Sequence, residues 1–321
     1  MAMGATVLRP DGDGPFPAVV LVAGSGPTDR DWCSPLMPGT NGSGHLLAEA
    51  FAEAGIASLR YDKRASGPHL AENLPKLAGT LSMRSHLDEL VAAVRTLASL
   101  DFVDASRIVG LGNSEGTIHV LHYVTSAQDI PFAGVVLVAP PGRPIREVLL
   151  SQLAVQAAQI PGGADLMPLV EQAAARFSAG EQMNPDPALP ESVRMVLASF
   201  ETPANLPFAR ELWDESATPA LARIRIPTLV LIGGKDLQVD ATLDGDPLRH
   251  ATEGMANVTF AFPPRANHVL KEDDRSPAEV AAAPGNGYNA PDAHLDPESL
   301  GTILGWLRAL FDPTGTASPA D

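Results

Sequence analysis

The sequence predicts an α/β fold in which a doubly wound, mostly parallel sheet carries a helical insertion between two late strands. Three observations indicate this fold. Short, continuously apolar segments recur along the chain, amphipathic helical patterns lie between them, and one long stretch lacks any strand pattern. Continuously apolar segments are typical of strands covered on both faces, as in a parallel sheet. Repeated strand–helix units in turn favour right-handed crossovers between neighbouring strands.

Six segments qualify as buried strands because they are short, largely apolar and bounded by turn-forming residues. They comprise residues 17–24, 57–62, 107–112, 134–139, 227–233 and 257–262. Two of the helical segments also carry start signals. Ser85, followed by Asp88 three residues later, is a candidate N-cap. Asp296 followed by Pro297 is the pattern of an N-cap with proline at the first helical position.

Residues 141–225 interrupt the alternation, since they contain helical patterns separated by proline and glycine but no strand pattern. Ligands bind beyond the carboxyl ends of parallel strands, and an insertion at this point would emerge there. A second helical domain at the sheet edge is the alternative interpretation. We predict an α/β core of residues 1–140 and 226–312, a helical cap of residues 141–225, and a flexible, Thr/Gly/Ser/Pro-rich tail of residues 313–321.

Composition excludes several classes of function. The 321 residues carry 38 acidic and 22 basic side chains, a formal net charge of −16, without a lysine/arginine cluster, so a nucleic-acid partner is not expected. Cys33 is the single cysteine, which rules out an intrachain disulfide and a cysteine zinc site. The chain start lacks a signal-peptide pattern, and the early apolar runs fall far short of the ~20 residues of a membrane helix. We expect a cytoplasmic protein without a membrane partner.

A nucleophile is predicted at Ser114. The segment GNSEG at residues 112–116 matches G-x-S-x-G, follows a predicted strand directly and runs into a helical pattern. This strand–turn–helix setting is the one that a nucleophile elbow requires. Side chains at Gly112 or Gly116 would crowd the turn, and the helix N-terminus favours developing negative charge. An ordinary glycine-rich turn is the alternative.

The general base is predicted to be His268 and the orienting acid Asp236. A serine hydroxyl needs a base to take its proton, and His268 lies in the loop after the last predicted strand. Asp236 follows the strand before it, and Asp240 is the alternative acid. The resulting chain order of Ser, Asp and His is that of α/β hydrolases. His119 and His122 could form half of a metal site, but no third ligand is evident, so the sequence predicts neither a metal nor a cofactor.

The oxyanion hole should combine two backbone N–H groups. One belongs to Glu115, directly after the nucleophile, and the other to Ser25 in the glycine-rich loop after the first buried strand. A purely flexible loop is the alternative for this second segment. The loop has neither a Walker lysine nor the G-x-G-x-x-G pattern, which argues against phosphate binding.

These motifs together resemble the α/β-hydrolase superfamily over residues 6–310. The segments GSGPTDRD at residues 24–31 and YDKR at residues 61–64 resemble bacterial EstD-like serine carboxylesterases more narrowly. The resemblance implies hydrolysis of short-chain esters by Ser114, Asp236 and His268. Trp32 and Ala65 depart from the family pattern, which has glycine at both places. Both lie near the expected pocket mouth, so we expect them to influence specificity.

The sequence therefore predicts a serine carboxylesterase acting on a small-molecule ester. A thioesterase, lactonase or amidase on the same triad is the alternative, and a non-catalytic ligand-binding protein on this fold is a third reading. Oligomeric state is not indicated. Several apolar residues of the insertion are candidates for lining an acyl pocket, with Trp213 and Phe208 named as substrate-binding residues, beside Leu149, Phe177 and Phe200.

Overall fold

The computed structural model describes residues 1–126 and 129–312, and its strands within these ranges form one sheet in the order β1-β3-β2-β4-β5-β6-β7. β1 runs antiparallel to β3, whereas the other neighbouring pairs are parallel. The predicted doubly wound, mostly parallel sheet is thus confirmed. The strands are β1 (Ala5–Leu8), β2 (Phe16–Val22), β3 (Ala57–Tyr61), β4 (Val103–Asn113), β5 (Gly134–Val138), β6 (Thr228–Leu231) and β7 (Val258–Ala261).

The six predicted strands correspond to β2 through β7, and β1 is the strand that the sequence did not reveal. Its four residues are exposed or half-buried, because β1 lies at the sheet edge against β3 alone. A short, partly solvated edge strand lacks the continuous apolar run that marks the central strands. The central strands have that run because both of their faces are covered, and every residue of β5, for example, is buried.

Twelve α-helices connect and flank the strands in the described ranges. They are α1 (Ser43–Glu53), α2 (Leu70–Asn73), α3 (Met83–Ala98), α4 (Glu115–Thr125), α5 (Ile145–Ala157), α6 (Met167–Ser178), α7 (Glu191–Phe200), α8 (Leu206–Leu212), α9 (Thr218–Leu221), α10 (Gly245–Ala251), α11 (Pro277–Ala282) and α12 (Pro297–Phe311). None of them combines the length and the apolar character that crossing a bilayer requires.

One predicted helix start is wrong and another is confirmed. α3 is capped by Ser82, one turn before the predicted Ser85, because Ser85 takes the third helical position of a capping box. The Ser82 hydroxyl accepts from Ser85 N and the Ser85 hydroxyl accepts from Ser82 N, both at 3.0 Å. For α12, the Asp296 carboxylate accepts from Ser299 N at 2.7 Å, directly before Pro297.

Five α-helices, α5 to α9, lie between β5 and β6, in the region where only helical patterns were found. Buried side chains from α5 to α8 and the connecting loops form an apolar cluster of their own beside the main core of the sheet. Arg143 joins the start of this insertion to the segment before α10, since its guanidinium donates to the fully buried carboxylate of Asp244 at 2.9 Å. The predicted tail, residues 313–321, lies outside the described residues.

Candidate active site

Ser114 occupies a sharp turn between the end of β4 and the start of α4. Its φ of 54° and ψ of −124° lie in a region that residues other than glycine rarely adopt. The two flanking glycines are required by close backbone contacts. A Cβ on Gly112 would lie 2.5 Å from Gly116 O, and one on Gly116 would lie 2.6 Å from Val22 O. The turn therefore tolerates no side chain on either side of the serine.

The turn is held by hydrogen bonds to neighbouring elements. Ser114 N donates to Val138 O of β5 at 2.8 Å, and the Thr117 hydroxyl donates to Ser114 O at 2.6 Å. The side chain of Asn113 reaches in the other direction, donating from Nδ2 to His268 O at 3.0 Å. Asn113 thus connects the serine turn directly to the loop that carries the histidine.

His268 and Asp236 form a buried pair. His268 Nδ1 lies 2.8 Å from Asp236 Oδ2, and both residues are almost fully buried. The second carboxylate oxygen, Oδ1, accepts from the backbone N–H groups of Gln238 and Val239 at 2.8 and 3.0 Å. The carboxylate is therefore fixed on both oxygens, and it can hold the imidazole in one orientation.

Asp240, the alternative acid, is engaged elsewhere. Its Oδ1 accepts from Thr242 N and Leu243 N at 2.8 and 2.7 Å, which closes the turn ahead of α10. The geometry therefore pairs His268 with Asp236 rather than with Asp240.

Ser114 lies where two cavities meet. One, of about 230 Å³, is lined by Ser114 and His268; because His268 belongs to its wall, we call it the histidine-side cavity. The other, of about 250 Å³, is lined by Ser114 and by residues of the insertion; we call it the insertion-side cavity. Ser25, Gly26 and Gln238 line both. A substrate bound at Ser114 can therefore extend in two directions.

The two predicted oxyanion-hole residues lie beside Ser114. Ser25 and Glu115 both line the insertion-side cavity together with the serine. The loop after β2 approaches the turn closely, since a Cβ on Gly24 would lie 3.4 Å from Ser114 Cβ. Backbone N–H groups of these two segments are thus available near the position where an oxyanion would develop.

A buried ionic cluster lies behind the two oxyanion-hole segments. Lys63 Nζ donates to Gly24 O at 2.5 Å and lies 3.9 Å from a carboxylate oxygen of Glu115. Lys63 therefore links the loop after β2 to the residue that follows the nucleophile. The cluster comprises Lys63, Arg64, His86, Glu89, Glu115 and His119.

Charge pairing sets the ionisation of this cluster. Burial alone would raise the pKa of Glu115, but Lys63 and His119 outweigh it and lower that pKa to about 2. Burial lowers the pKa of His119 to about 4, although Glu115 opposes the shift. Burial also lowers the pKa of Lys63, again against the attraction of Glu115. A neutral His119 and a charged Glu115 follow for neutral pH.

The two predicted substrate-binding aromatic residues have different surroundings. Phe208 lines the insertion-side cavity and its ring also packs on His86, with ring centroids 4.6 Å apart. Trp213 lines neither of the two cavities at Ser114. Its ring packs against Phe177 and Phe200, and its Nε1 donates to the Ser178 hydroxyl at 2.8 Å. The assignment of Trp213 to the pocket is therefore corrected. Its ring packs in the core of the insertion, and its indole N–H is paired there.

Some of the other residues predicted to lie near the pocket line a cavity at Ser114, and others do not. Leu149 and Phe200 line the insertion-side cavity, whereas Phe177 does not. Trp32 lines the histidine-side cavity, but Ala65 packs in a separate apolar cluster away from it. His119 and His122, which share a helix, turn to different carboxylates, Glu115 and Glu215. Within residues 1–126 and 129–312, no group of three or more side chains is placed to hold a metal ion.

Sequence reasoning missed several residues of the site. Asn113 lies inside the G-x-S-x-G segment, so its position could have suggested a role in the turn. Gln238 follows Asp236 by two residues and lines both cavities. Tyr288 and Asn289 come from a long irregular segment between α11 and α12, where no periodicity or motif signals a site.

Comparison with known proteins is consistent with this geometry. Residues 19–283 match the alpha/beta hydrolase family. The chain is 27% identical over 300 residues to Esterase EstD of Thermotoga maritima, an alignment that covers 93% of this chain and 63% of that protein. The chain thus spans less than two thirds of the length of this relative.

Solved structures share the fold at low sequence identity. The 2,6-dihydroxy-pseudo-oxynicotine hydrolase superposes with a TM-score of 0.54 at 14% identity, covering 99% of this chain and 67% of that one. A thermophilic esterase from Thermogutta terrifontis gives a TM-score of 0.53 at 17% identity, covering 96% of this chain and 93% of that one. At such identities the likeness concerns the fold alone.

Proposed function

The chain belongs to the α/β-hydrolase family, and from this premise we propose that it is a serine carboxylesterase that cleaves short-chain esters through an acyl-enzyme. One observation carries the proposal. Ser114, on a turn strained at φ 54°, opens into the same cavity as His268, whose Nδ1 lies 2.8 Å from Asp236. A nucleophile, a base and an orienting acid are the three groups that acyl transfer to serine requires.

The proposed acylation step uses these three residues together. Ser114 Oγ attacks the ester carbonyl carbon while His268 Nε2 takes the hydroxyl proton. Asp236 accepts from Nδ1–H of the same ring and stabilises the imidazolium. The negative charge that develops on the carbonyl oxygen is met by the backbone N–H groups of Ser25 and Glu115. Collapse of this intermediate breaks the bond to the alkoxy group, which leaves with the proton from His268.

Deacylation repeats these steps with water in place of the serine hydroxyl. His268 takes a proton from water, the resulting hydroxide attacks the acyl carbon, and the proton then passes to Ser114 Oγ as the carboxylic acid departs. The residues involved are the same three, together with the two N–H donors.

A neutral acyl group suits the insertion-side cavity. Its volume of about 250 Å³ is bounded largely by apolar side chains of the insertion, and no lysine or arginine lines it in the described part of the chain. Each methylene buried in such a cavity contributes roughly 0.8 kcal/mol, so activity should change gradually with acyl length. The similarity to Esterase EstD, a protein named as an esterase, supports ester rather than amide chemistry.

The test combines active-site labelling with a substrate panel. A fluorophosphonate probe should label the wild-type protein and fail to label Ser114→Ala. Turnover is then measured on p-nitrophenyl esters from acetate to octanoate, beside a lactone, an anilide and a thioester. Highest kcat/KM on an ester of two to four acyl carbons is expected. Absence of labelling would indicate a binding protein, and a preference for the thioester, lactone or anilide would replace the esterase assignment.

A further inference from the structure

The histidine-side cavity has a defined place in the reaction, provided that the function proposed above is correct. The proton that His268 takes from Ser114 must be delivered to the leaving oxygen, so the leaving group has to lie on the side of the histidine. His268 lines this cavity, whereas it does not line the insertion-side cavity. The acyl group therefore occupies the insertion side, and the alcohol part of the ester occupies the histidine side.

We propose that this cavity is a built site for a neutral, ring-sized alcohol that carries a hydrogen-bonding substituent, and that Asn289 recognises the substituent. Size is the first argument. The cavity measures about 230 Å³, and a cavity of about 150 Å³ already holds benzene. A further space of about 140 Å³ continues from it past Met37, Gln238 and Tyr288. A methyl or ethyl leaving group would leave most of this volume empty.

An amide that faces the cavity without a hydrogen-bond partner is the second argument. Asn289 is 3% exposed and lines the cavity. Its backbone O accepts from Asn41 N, whereas its side-chain amide makes no hydrogen bond within the described ranges 1–126 and 129–312. The atoms of this amide are not among the fully buried unpaired polar atoms of the described residues, so the amide is open to the cavity and free to pair with a ligand. A hydroxyl group on the ligand would supply the missing donor or acceptor.

The charge of the wall is the third argument. No aspartate, glutamate, lysine or arginine lines the histidine-side cavity among the described residues. A charged leaving group would lose hydration there without gaining a counter-ion. Amide and hydroxyl side chains, by contrast, can pair with a neutral polar ligand. The alcohol is therefore neutral.

An aromatic wall favours a ring. Trp32 and Tyr288 both line the cavity and are buried. Trp32 adopts φ 68°, a left-handed conformation that is unusual for so large a residue. Strained backbone of this kind accumulates at ligand-binding sites, where the surrounding structure maintains it. Trp32 thus adds an aromatic side chain to the wall of the cavity that Ser114 also lines, and its buried Nε1 has no hydrogen-bond partner among the described residues.

Two esters with the same acyl group test the proposal. 4-(Hydroxymethyl)phenyl butyrate and 4-ethylphenyl butyrate differ by a hydroxyl in place of a methyl, and the intervening methylene keeps the acidities of the two phenols similar. Wild-type kcat/KM should be about tenfold higher for the hydroxymethyl ester, because the ethyl ester leaves the amide unpaired. Equal rates, or a preference for the ethyl ester, would overturn the proposal without any variant being needed.

Two substitutions test whether Asn289 is the residue that recognises the hydroxyl group. Asn289→Leu should reduce the tenfold preference to about one or reverse it, since the apolar side chain now matches the ethyl group. Asn286→Leu is the matched control on the same segment: Asn286 is exposed, and its replacement should leave the preference intact. Neither substitution should alter the acyl-length profile on p-nitrophenyl esters, because both residues lie outside the insertion-side cavity.

The outcomes also separate this inference from the proposed function. A preference that survives Asn289→Leu in a variant that fluorophosphonate still labels would disprove the role of Asn289. Ester turnover without any hydroxyl preference would overturn the alcohol site while the esterase assignment stands. Absence of both labelling and ester turnover in the wild type would instead remove the proposed function, and this inference with it.

Discussion

At Ser114, backbone conformation and chemistry are coupled. The backbone conformation of Ser114, with φ of 54°, costs on the order of 1–3 kcal/mol for a residue with a side chain. The surrounding structure maintains it through the hydrogen bond from Ser114 N to Val138 O and through the close backbone contacts at Gly112 and Gly116. The strain brings the hydroxyl to the meeting point of the two cavities. The same strain is a stability cost that glycine at this position would avoid.

A pair of substitutions separates the two effects. Ser114→Ala and Ser114→Gly should both lose hydrolysis by about 10⁶-fold in kcat, as removal of a working triad nucleophile does in subtilisin. The free energy of unfolding of Ser114→Gly should nevertheless be about 1 kcal/mol higher than that of Ser114→Ala, because only glycine adopts φ 54° without strain. Urea titration measures the difference. Alanine being equally or more stable would contradict the strain argument, and several per cent of residual activity would contradict the nucleophile.

The acid can be identified by a second matched pair. Asp236→Asn should lower kcat by about 10⁴-fold, because an amide no longer fixes the tautomer of His268. Asp240→Asn should keep most of the activity, since within the described residues that carboxylate accepts from Thr242 N and Leu243 N and does not contact His268. Steady-state kinetics on p-nitrophenyl butyrate compares the two. A larger loss for Asp240→Asn would mean that the acid is misassigned.

At the scale of elements, the sheet was predictable because its central strands have both faces covered. Buried β2 through β6 produce apolar runs that the sequence displays directly, and Ser114 and Asp236 follow two of these strands. His268 follows β7, a partly exposed edge strand whose residues are nevertheless largely apolar. β1 was missed because an exposed edge strand of four residues has no such run. The start of α3 was misplaced because Ser82 and Ser85 are both good N-caps and only their mutual hydrogen bonds decide between them.

The pocket walls were less predictable than the triad. An apolar residue on a helix is equally suited to a cavity or to a core, and sequence spacing does not distinguish the two. Phe208 lines the insertion-side cavity but Trp213 is packed within the insertion. Asn289 and Tyr288 reach the histidine-side cavity from an irregular segment that follows His268 by about twenty residues. Only tertiary structure brings such segments together.

Helix α5 of the insertion carries one leucine that lines a cavity and one that lies in the apolar core, and their effects can be compared. Leu149 lines the insertion-side cavity, whereas Leu153, one turn further along α5, is buried in the apolar cluster of the insertion. Leu149→Ala should shift the preferred acyl chain of p-nitrophenyl esters towards greater length, because it enlarges the cavity. Leu153→Ala should cost about 2–5 kcal/mol of stability and leave the acyl preference unchanged. A similar shift in both variants would mean that the insertion affects substrate choice only through its stability.

At the scale of the whole molecule, the buried ionic cluster should make stability depend on pH. His119 has a pKa of about 4 when folded, against 6.5 for an ordinary histidine, because burial disfavours its charged form. Its neighbours from other elements are His86, stacked on its ring, and Lys63. Between pH 6.5 and 4 the unfolded chain therefore binds a proton that the folded chain does not.

The unfolding free energy should accordingly fall as the pH decreases from 6.5 to 4, by a contribution on the order of 3 kcal/mol from this residue. His119→Gln removes the titrating group, so the decrease should be smaller in that variant. His122→Gln is the matched control, since His122 lies on the same helix but is partly exposed. Denaturant unfolding at pH 7 and pH 4.5 provides the comparison. Identical pH dependence in His119→Gln and wild type would contradict the assignment.

The final prediction concerns the charge of the substrate. The chain carries a formal net charge of −16, a field that disfavours the approach of anions as well as their binding. The cations nearest the motifs are already paired: Lys63 with Gly24 O, Arg30 with Asp62, Arg64 with Glu89, and Arg265 with Glu272 and Asp274. No lysine or arginine lines either cavity at Ser114 within the described residues. Nothing there would compensate the phosphates of a coenzyme A thioester.

We therefore expect kcat/KM for a neutral butyryl ester to be well above that for butyryl-coenzyme A. Butyryl-pantetheine is the control, because it has the same thioester without the nucleotide phosphates. At low salt the pantetheine thioester should be the better of the two thioesters, and added salt should narrow the difference, since screening shortens the range of repulsion to about 8 Å at 0.15 M. A coenzyme A thioester that matched the neutral ester at low salt would favour a thioesterase. Equal rates for the two thioesters at every salt concentration would show that the field of the protein does not select substrates.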